Sequence, residues 1–239
     1  MPLTDRALIF DVDGTLVDSN EAQAAAWAEA LRDFEIDRDV DAVVPLIGMG
    51  AGRLLPRLAG VTADSELGRK IAGRRAELFR DVYIDHVAPF PGVRELFERM
   101  RQDRVLLGAA SPVERAELEA VLDLAGVRDL VDRLAALEDV AWPRLDVVDA
   151  ALSRLGTQPG TTLMVGDSPF DIEAAHQMGM GTIALRCGGW SDRDLEDAVA
   201  IYDTPKAMLA AYEARAWDWP AAPTRPKPGA GVPANSSLR

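Results

Sequence analysis

Apolar residues in this chain gather in short continuous runs, separated by longer stretches whose apolar positions recur three and four apart. Ala7 to Phe10 is a four-residue apolar run that breaks into Asp11-Val12-Asp13-Gly14-Thr15, which predicts a buried strand ending in a tight loop. From Ser19, placed as an N-cap, to about Leu31 the pattern is helical, with Trp27 and Leu31 four apart. Val43 to Gly52 carries a proline and three glycines and reads as a loop between helices. Further helical stretches run from about Ala51 to Ala59 and from Asp64 to Asp85. No strand pattern occurs between residues 19 and 88, so this block reads as an all-helical unit.

The punctuation changes at Pro89-Phe90-Pro91-Gly92. Strand-like runs then appear at Arg104 to Ala109, Leu134 to Leu137, Thr161 to Val165, Thr182 to Arg186 and, weakly, Ala200 to Tyr202. Helical stretches at Val93 to Arg101, Val113 to Leu124, Leu145 to Leu155, Phe170 to Met178 and Pro205 to Arg215 alternate with them. That alternation predicts an α/β fold: a three-layer, Rossmann-like core with a parallel sheet, plus an inserted all-helical cap. The expected division is residues 1–17 and 89–215 for the core and 18–88 for the insertion. The tail 216–239 is rich in Pro, Gly and Ala, a composition that favours disorder.

Composition narrows the function. With 239 residues the chain can bury a core without staples. Its 26 Lys+Arg against 39 Asp+Glu give a net charge of -13, which excludes a general binder of nucleic acid or anionic membrane. An anionic substrate stays open, because a bound cation reverses the local sign. A single cysteine, Cys187, allows no internal disulfide and fits a reducing, cytoplasmic setting. No apolar run approaches a membrane span, and the first residues do not read as a signal peptide. Oligomeric state is not legible.

Ligands of open parallel sheets bind beyond the carboxyl ends of the strands. The expected strand ends here carry Asp11 and Asp13, then Ser111, then Asp167, Ser168 and Asp171. Such carboxylates cannot share an apolar site comfortably unless a hard cation joins them. The segments FDVDGTLVDS (Phe10 to Ser19), AASP (Ala109 to Pro112) and VGDSPFDIEAA (Val165 to Ala175) resemble motifs one, two and four of the haloacid dehalogenase-like superfamily, in its phosphatase branch with a helical cap. The resemblance spans about residues 7 to 210. It implies a Mg²⁺-dependent phosphomonoesterase acting on a small phosphorylated metabolite, in which Asp11 forms an aspartyl-phosphate and Asp13 is the general acid and base. It also implies metal binding by Asp11, the backbone carbonyl of Asp13, and Asp167, with Asp171 and Ser168 behind them. Ser111 and the amides of the Val12 to Gly14 loop, Gly14 included, would hold the phosphoryl oxygens.

The chain departs from the family pattern where a lysine normally precedes a proline ahead of motif four. In AWPRLDVVDAALSRLG (Ala141 to Gly156), Trp142 stands at that place and Arg144 is the nearest cation. Either Arg144, or another arginine such as Arg115 or Arg186, supplies the charge, or the chain is an impaired member that binds a phosphorylated ligand or a protein. A sugar phosphomutase is a third reading, weakened because Gln23 stands where those enzymes offer a histidine. Arg53, in the GMGAGR loop (Gly48 to Arg53), is a candidate for binding an anionic substrate tail. Lys70 lies in RKIAGRR, read as a solvated helical face.

Overall fold

The computed structural model describes residues 6–140, 147–215 and 219. In chain order the strands are β1 (Ala7–Phe10), β2 (Val17–Asp18), β3 (Ala88–Pro89), β4 (Leu106–Ala110), β5 (Arg133–Ala135), β6 (Thr162–Gly166), β7 (Gly181–Leu185) and β8 (Ala200–Tyr202). The α-helices are α1 (Asn20–Arg32), α2 (Val40–Val43), α3 (Ala51–Ala59), α4 (Glu66–Leu78), α5 (Val93–Gln102), α6 (Arg115–Leu124), α7 (Val147–Leu155), α8 (Pro169–Gln177) and α9 (Pro205–Glu213). Among the described residues, six strands form one parallel sheet in the order β5-β4-β1-β6-β7-β8. The expected α/β class is therefore the observed one.

The sheet is buried on both faces, and strand alternation sorts its side chains. Leu8 and Phe10 of β1, Leu107 and Ala109 of β4, and Leu163 and Val165 of β6 join one apolar cluster with Leu96 and Phe97 of α5, Leu118 of α6 and Met208 of α9. Phe10 and Phe97 meet with ring centroids 4.5 Å apart. Ile9, Ala110 and Met164 point the other way, onto Val148 and Ala151 of α7 and Ala175 of α8. Because β1 pairs β4 on one edge and β6 on the other, it sits at the point where the strand order reverses. A crevice opens at such a point beyond the carboxyl ends, which is where Asp11 follows β1 and Asp167 follows β6.

Helices α1 to α4 lie between β2 and β3 in the chain, and their apolar faces, including Trp27, Leu31, Leu54 and Ile71, join the same cluster as the α5 face of the sheet. Two local features were not expected. The chain enters and leaves this block through a two-residue antiparallel ribbon, Val17 opposite Pro89 and Asp18 opposite Ala88. The helix expected to run to Asp85 ends as an α-helix at Leu78, then widens into a π-helical turn, Phe79–Tyr83, and a 3₁₀ turn, Ile84–His86. Among the described residues no helix is long and apolar enough to cross a membrane. Trp142, Arg144 and all of the tail but Trp219 lie outside the described residues.

Candidate active site

Asp11 and Asp167 arrive from neighbouring strands, β1 and β6, and both are buried. Asp171, in the first turn of α8, completes a trio: one carboxylate oxygen from each of Asp11, Asp167 and Asp171 lies within 4.8 Å of the others. The Thr15 hydroxyl donates to Asp167 Oδ1 at 3.1 Å and stands 3.5 Å from Asp11 Oδ2. Asn20 Nδ2 reaches Asp167 Oδ2 at 3.3 Å and the Gly188 carbonyl at 3.1 Å. Asp171 is fastened from behind, since its Oδ2 accepts from the Ser168 amide at 2.9 Å and the Ser168 hydroxyl at 2.7 Å.

Burial, then the charges of Asp171, Asp167 and Asp13, push the Asp11 carboxyl well above its ordinary range. Asp167 is pushed up well above it by burial and by Asp171, and Asp171 is raised by burial. Three close, buried oxygen donors that resist joint ionisation are the donor set a small hard divalent cation suits. Asp13 is outside this trio and faces the neighbouring cavity; its Oδ1 accepts from the Ser19 hydroxyl at 2.5 Å and from Gln23 Nε2 at 3.1 Å.

That cavity, about 50 Å³, lies between the sheet ends and the helical block. Asp11, Asp13 and Ser111 line it from the core; Trp27, Leu54 and Arg75 line it from the insertion. The GMGAGR loop presses on the core here. A Cβ on Gly48 (φ +93°) would come 3.3 Å from Ser168 Oγ, and one on Gly50 (φ +71°) 3.2 Å from Pro112 Cβ. These glycines permit close approach of the two layers and positive φ, which is their structural use.

Several expected site residues sit elsewhere. The Gly14 amide donates to the Val17 carbonyl at 2.9 Å, so it is not the phosphoryl ligand foreseen for it. Instead Gly14 supplies room, because a Cβ there would come 2.5 Å from Asp167 Oδ2. Arg53 is not among the described residues lining the cavity; it bonds Glu173 Oε2 at 2.8 Å, with its guanidinium 5.4 Å from the Phe170 ring centroid. Arg115 pairs with Asp139, and Arg186 pairs with Asp192 and Asp203, and neither is among the described residues lining the cavity. Lys70 pairs with Glu66 on an exposed face, as its context suggested. Cys187 donates to the Gly14 carbonyl at 3.4 Å, and burial and Asp167 raise its thiol to about 12.

The cation that sequence reading overlooked is Arg75. It belongs to the RKIAGRR face taken as solvated, yet it is only 6% exposed and lines the cavity. Its Nη1 lies 2.6 Å from Glu117 Oε1 and 3.1 Å from Gln23 Oε1, and its guanidinium lies 5.4 Å from the Trp27 ring centroid. Because Arg75 only donates, it fixes the Gln23 amide: Oε1 faces Arg75, and Nε2 donates to Asp13 and, at 3.1 Å, to Glu117 Oε1. Helical spacing held the signal, since Gly68, Ile71, Arg75 and Leu78 share the buried stripe of α4.

The chain is similar along most of its length to proteins of named activity. It is 28% identical over 213 residues to the phosphoglycolate phosphatase of Synechococcus elongatus, covering 86% of this chain and 96% of that one. Identity is also 28% over 181 residues with fructose-1-phosphate phosphatase YqaB of Escherichia coli (strain K12), covering 75% of this chain and 95% of that one. The crystal structure of a hydrolase from Pseudomonas syringae superposes with a TM-score of 0.79 at 25% identity, covering 87% of this chain and 98% of the other. The model of the haloacid dehalogenase-like hydrolases matches residues 8–185, and the chain belongs to the haloacid dehalogenase-like hydrolase family.

Proposed function

We propose that this protein is a Mg²⁺-dependent phosphomonoesterase that hydrolyses a small phosphorylated metabolite. The observation that carries the reading is the convergence of Asp11 and Asp167, from separate strand ends, beside a cavity that Asp13 also faces. Relatives named as phosphatases support the reaction class.

Asp11 and Asp167, with the Asp13 carbonyl, would hold the metal, and Asp171 would orient Asp167 and the groups around it. When bound, the ion supplies positive charge against the carboxylates and the phosphoryl oxygens. Asp11 attacks phosphorus and the ester P–O bond breaks, leaving an aspartyl-phosphate. Asp13 hands its proton to the departing alkoxide, then takes one from the water that attacks the same phosphorus, freeing phosphate and restoring Asp11. The Ser111 hydroxyl donates to a phosphoryl oxygen. The Ser19 and Gln23 donors, both on Asp13 Oδ1, leave Oδ2 to carry that proton.

Gln23 holds Asp13 with an amide that cannot shuttle protons, which weighs against the phosphomutase reading. Phosphate release from a panel of phosphate esters with Mg²⁺ tests the proposal. We expect turnover that falls roughly 10³-fold or more in Asp11→Asn. Release no greater than in that variant would leave the ligand-binding reading raised by Trp142.

A further inference from the structure

We infer that this site selects phosphate esters whose leaving group is uncharged and hydroxyl-bearing, as in a sugar or polyol phosphate, over esters whose leaving group carries a carboxylate or second phosphate. The inference rests on the phosphatase reading and adds the substrate class to it.

Beyond Asp11, Asp13 and Ser111, the cavity is walled by Trp27, Gln23, aliphatic side chains, the glycines Gly48 and Gly50, and Arg75. Among the described residues Arg75 is the one cation in this lining. An anionic leaving group would need that charge, and it is already engaged. Arg75 and Glu117 side chains are 8% and 6% exposed, and their contact at 2.6 Å sets the Glu117 carboxyl against the guanidinium. The Gln23 carbonyl oxygen takes a share of the same Nη1. A second anion entering here would meet an already neutral pair, with Asp13 close by in the same network. Separating the pair to serve the newcomer would strand Glu117 in a place where burial already disfavours its charge.

What the pair leaves over is polar and balanced. Arg75 Nε is buried without an acceptor, and Glu117 Oε2 is buried without a donor. Both atoms are buried, so the partner for a hydroxyl on the cavity wall is Gln23, a neutral amide that carries both a donor and an acceptor. Trp27 and Leu54 supply the apolar contact that the carbon skeleton of a sugar or polyol offers in return. A buried polar pair of this kind discriminates chiefly by what it would leave unpaired.

The test compares glucose 6-phosphate and glycerol 1-phosphate with phosphoglycolate and inorganic pyrophosphate, all with Mg²⁺. In the wild type we expect kcat/KM at least tenfold higher for the best hydroxyl-bearing ester than for either anionic one. Glu117→Gln releases the Arg75 charge while keeping its hydrogen bond, and should shift that ratio at least tenfold toward phosphoglycolate. A wild-type preference for phosphoglycolate or pyrophosphate, or equal loss on both classes in Glu117→Gln, overturns the inference. Calorimetric binding of the same compounds to Asp11→Asn needs neither turnover nor the Glu117 variant. Tighter binding of the hydroxyl-bearing esters there upholds the selectivity even if the phosphatase reading fails, and equal, reversed or undetectable binding refutes it.

Discussion

At Gly14 the backbone sits at φ +75°, and the space a side chain would take is filled by Asn20 Nδ2 and Asp167 Oδ2. Gly14→Ala therefore imposes both strain and displacement of the carboxylate; it should cost more than about 1 kcal/mol of stability by denaturant titration and lower phosphate release. The three carboxyls behind it set a pH dependence of unusual sign. Because folding raises Asp11, Asp167 and Asp171 above the ordinary aspartate value, the metal-free folded state keeps protons that the unfolded chain gives up above about pH 4. Their contribution to stability is present below that pH and is lost as pH rises through the raised values. Asp171→Asn should flatten this fall and raise the metal-free Tm at pH 8 by roughly 2–4 °C, while Mg²⁺ should stabilise the wild type more at pH 8 than at pH 5. Thermal melts across that range check it, and identical slopes for the two proteins would refute it. At this scale the carboxylates were readable because DVDGT and GDSPFD pair acids with turn residues. The pairing of Arg75 was not, because Glu117 lies 42 positions away and only the fold brings them together.

Among the elements, α4 matters because it carries Arg75 into the cavity. Its start is fixed by Ser65, whose hydroxyl oxygen accepts from the Gly68 amide at 3.0 Å. Ser65→Ala should cost about 1 kcal/mol of stability, read by chemical denaturation. The strands of the central sheet were legible from their apolar runs, since a strand buried on both faces has no polar alternation to confuse it. The ribbon of β2 and β3 was not, because two residues per strand are too few to show a period. The end of α4 was misjudged for a related reason: the apolar spacing continues through Phe79 and Tyr83 although the backbone there widens.

Across the whole molecule, two arginines tie the helical insertion to the core in different ways. Arg53 and Glu173 meet at the surface, with side chains 42% and 36% exposed. Breaking this pair with Glu173→Ala should change stability by at most about 1 kcal/mol. Arg75 and Glu117 meet in the interior, and Arg75→Met would leave Glu117 buried and unpaired at a cost of about 3–5 kcal/mol. Denaturant midpoints of the two variants, measured side by side, separate the cases, and equal losses would contradict the burial of the inner pair. The helical run between β2 and β3 matches the stretch where strand patterns stop and resume. The contacts between core and insertion were not legible, since they join residues that no local window holds together.

Both passages of the chain between core and insertion run through one small ribbon, with Val17 beside Pro89. Exposed segments between those residues can lengthen or shorten while the ribbon holds the two ends of the block together. Changes of preference among substrates can therefore accumulate in the part of this block beyond Ser19, Asn20 and Gln23, which hold Asp13 and Asp167.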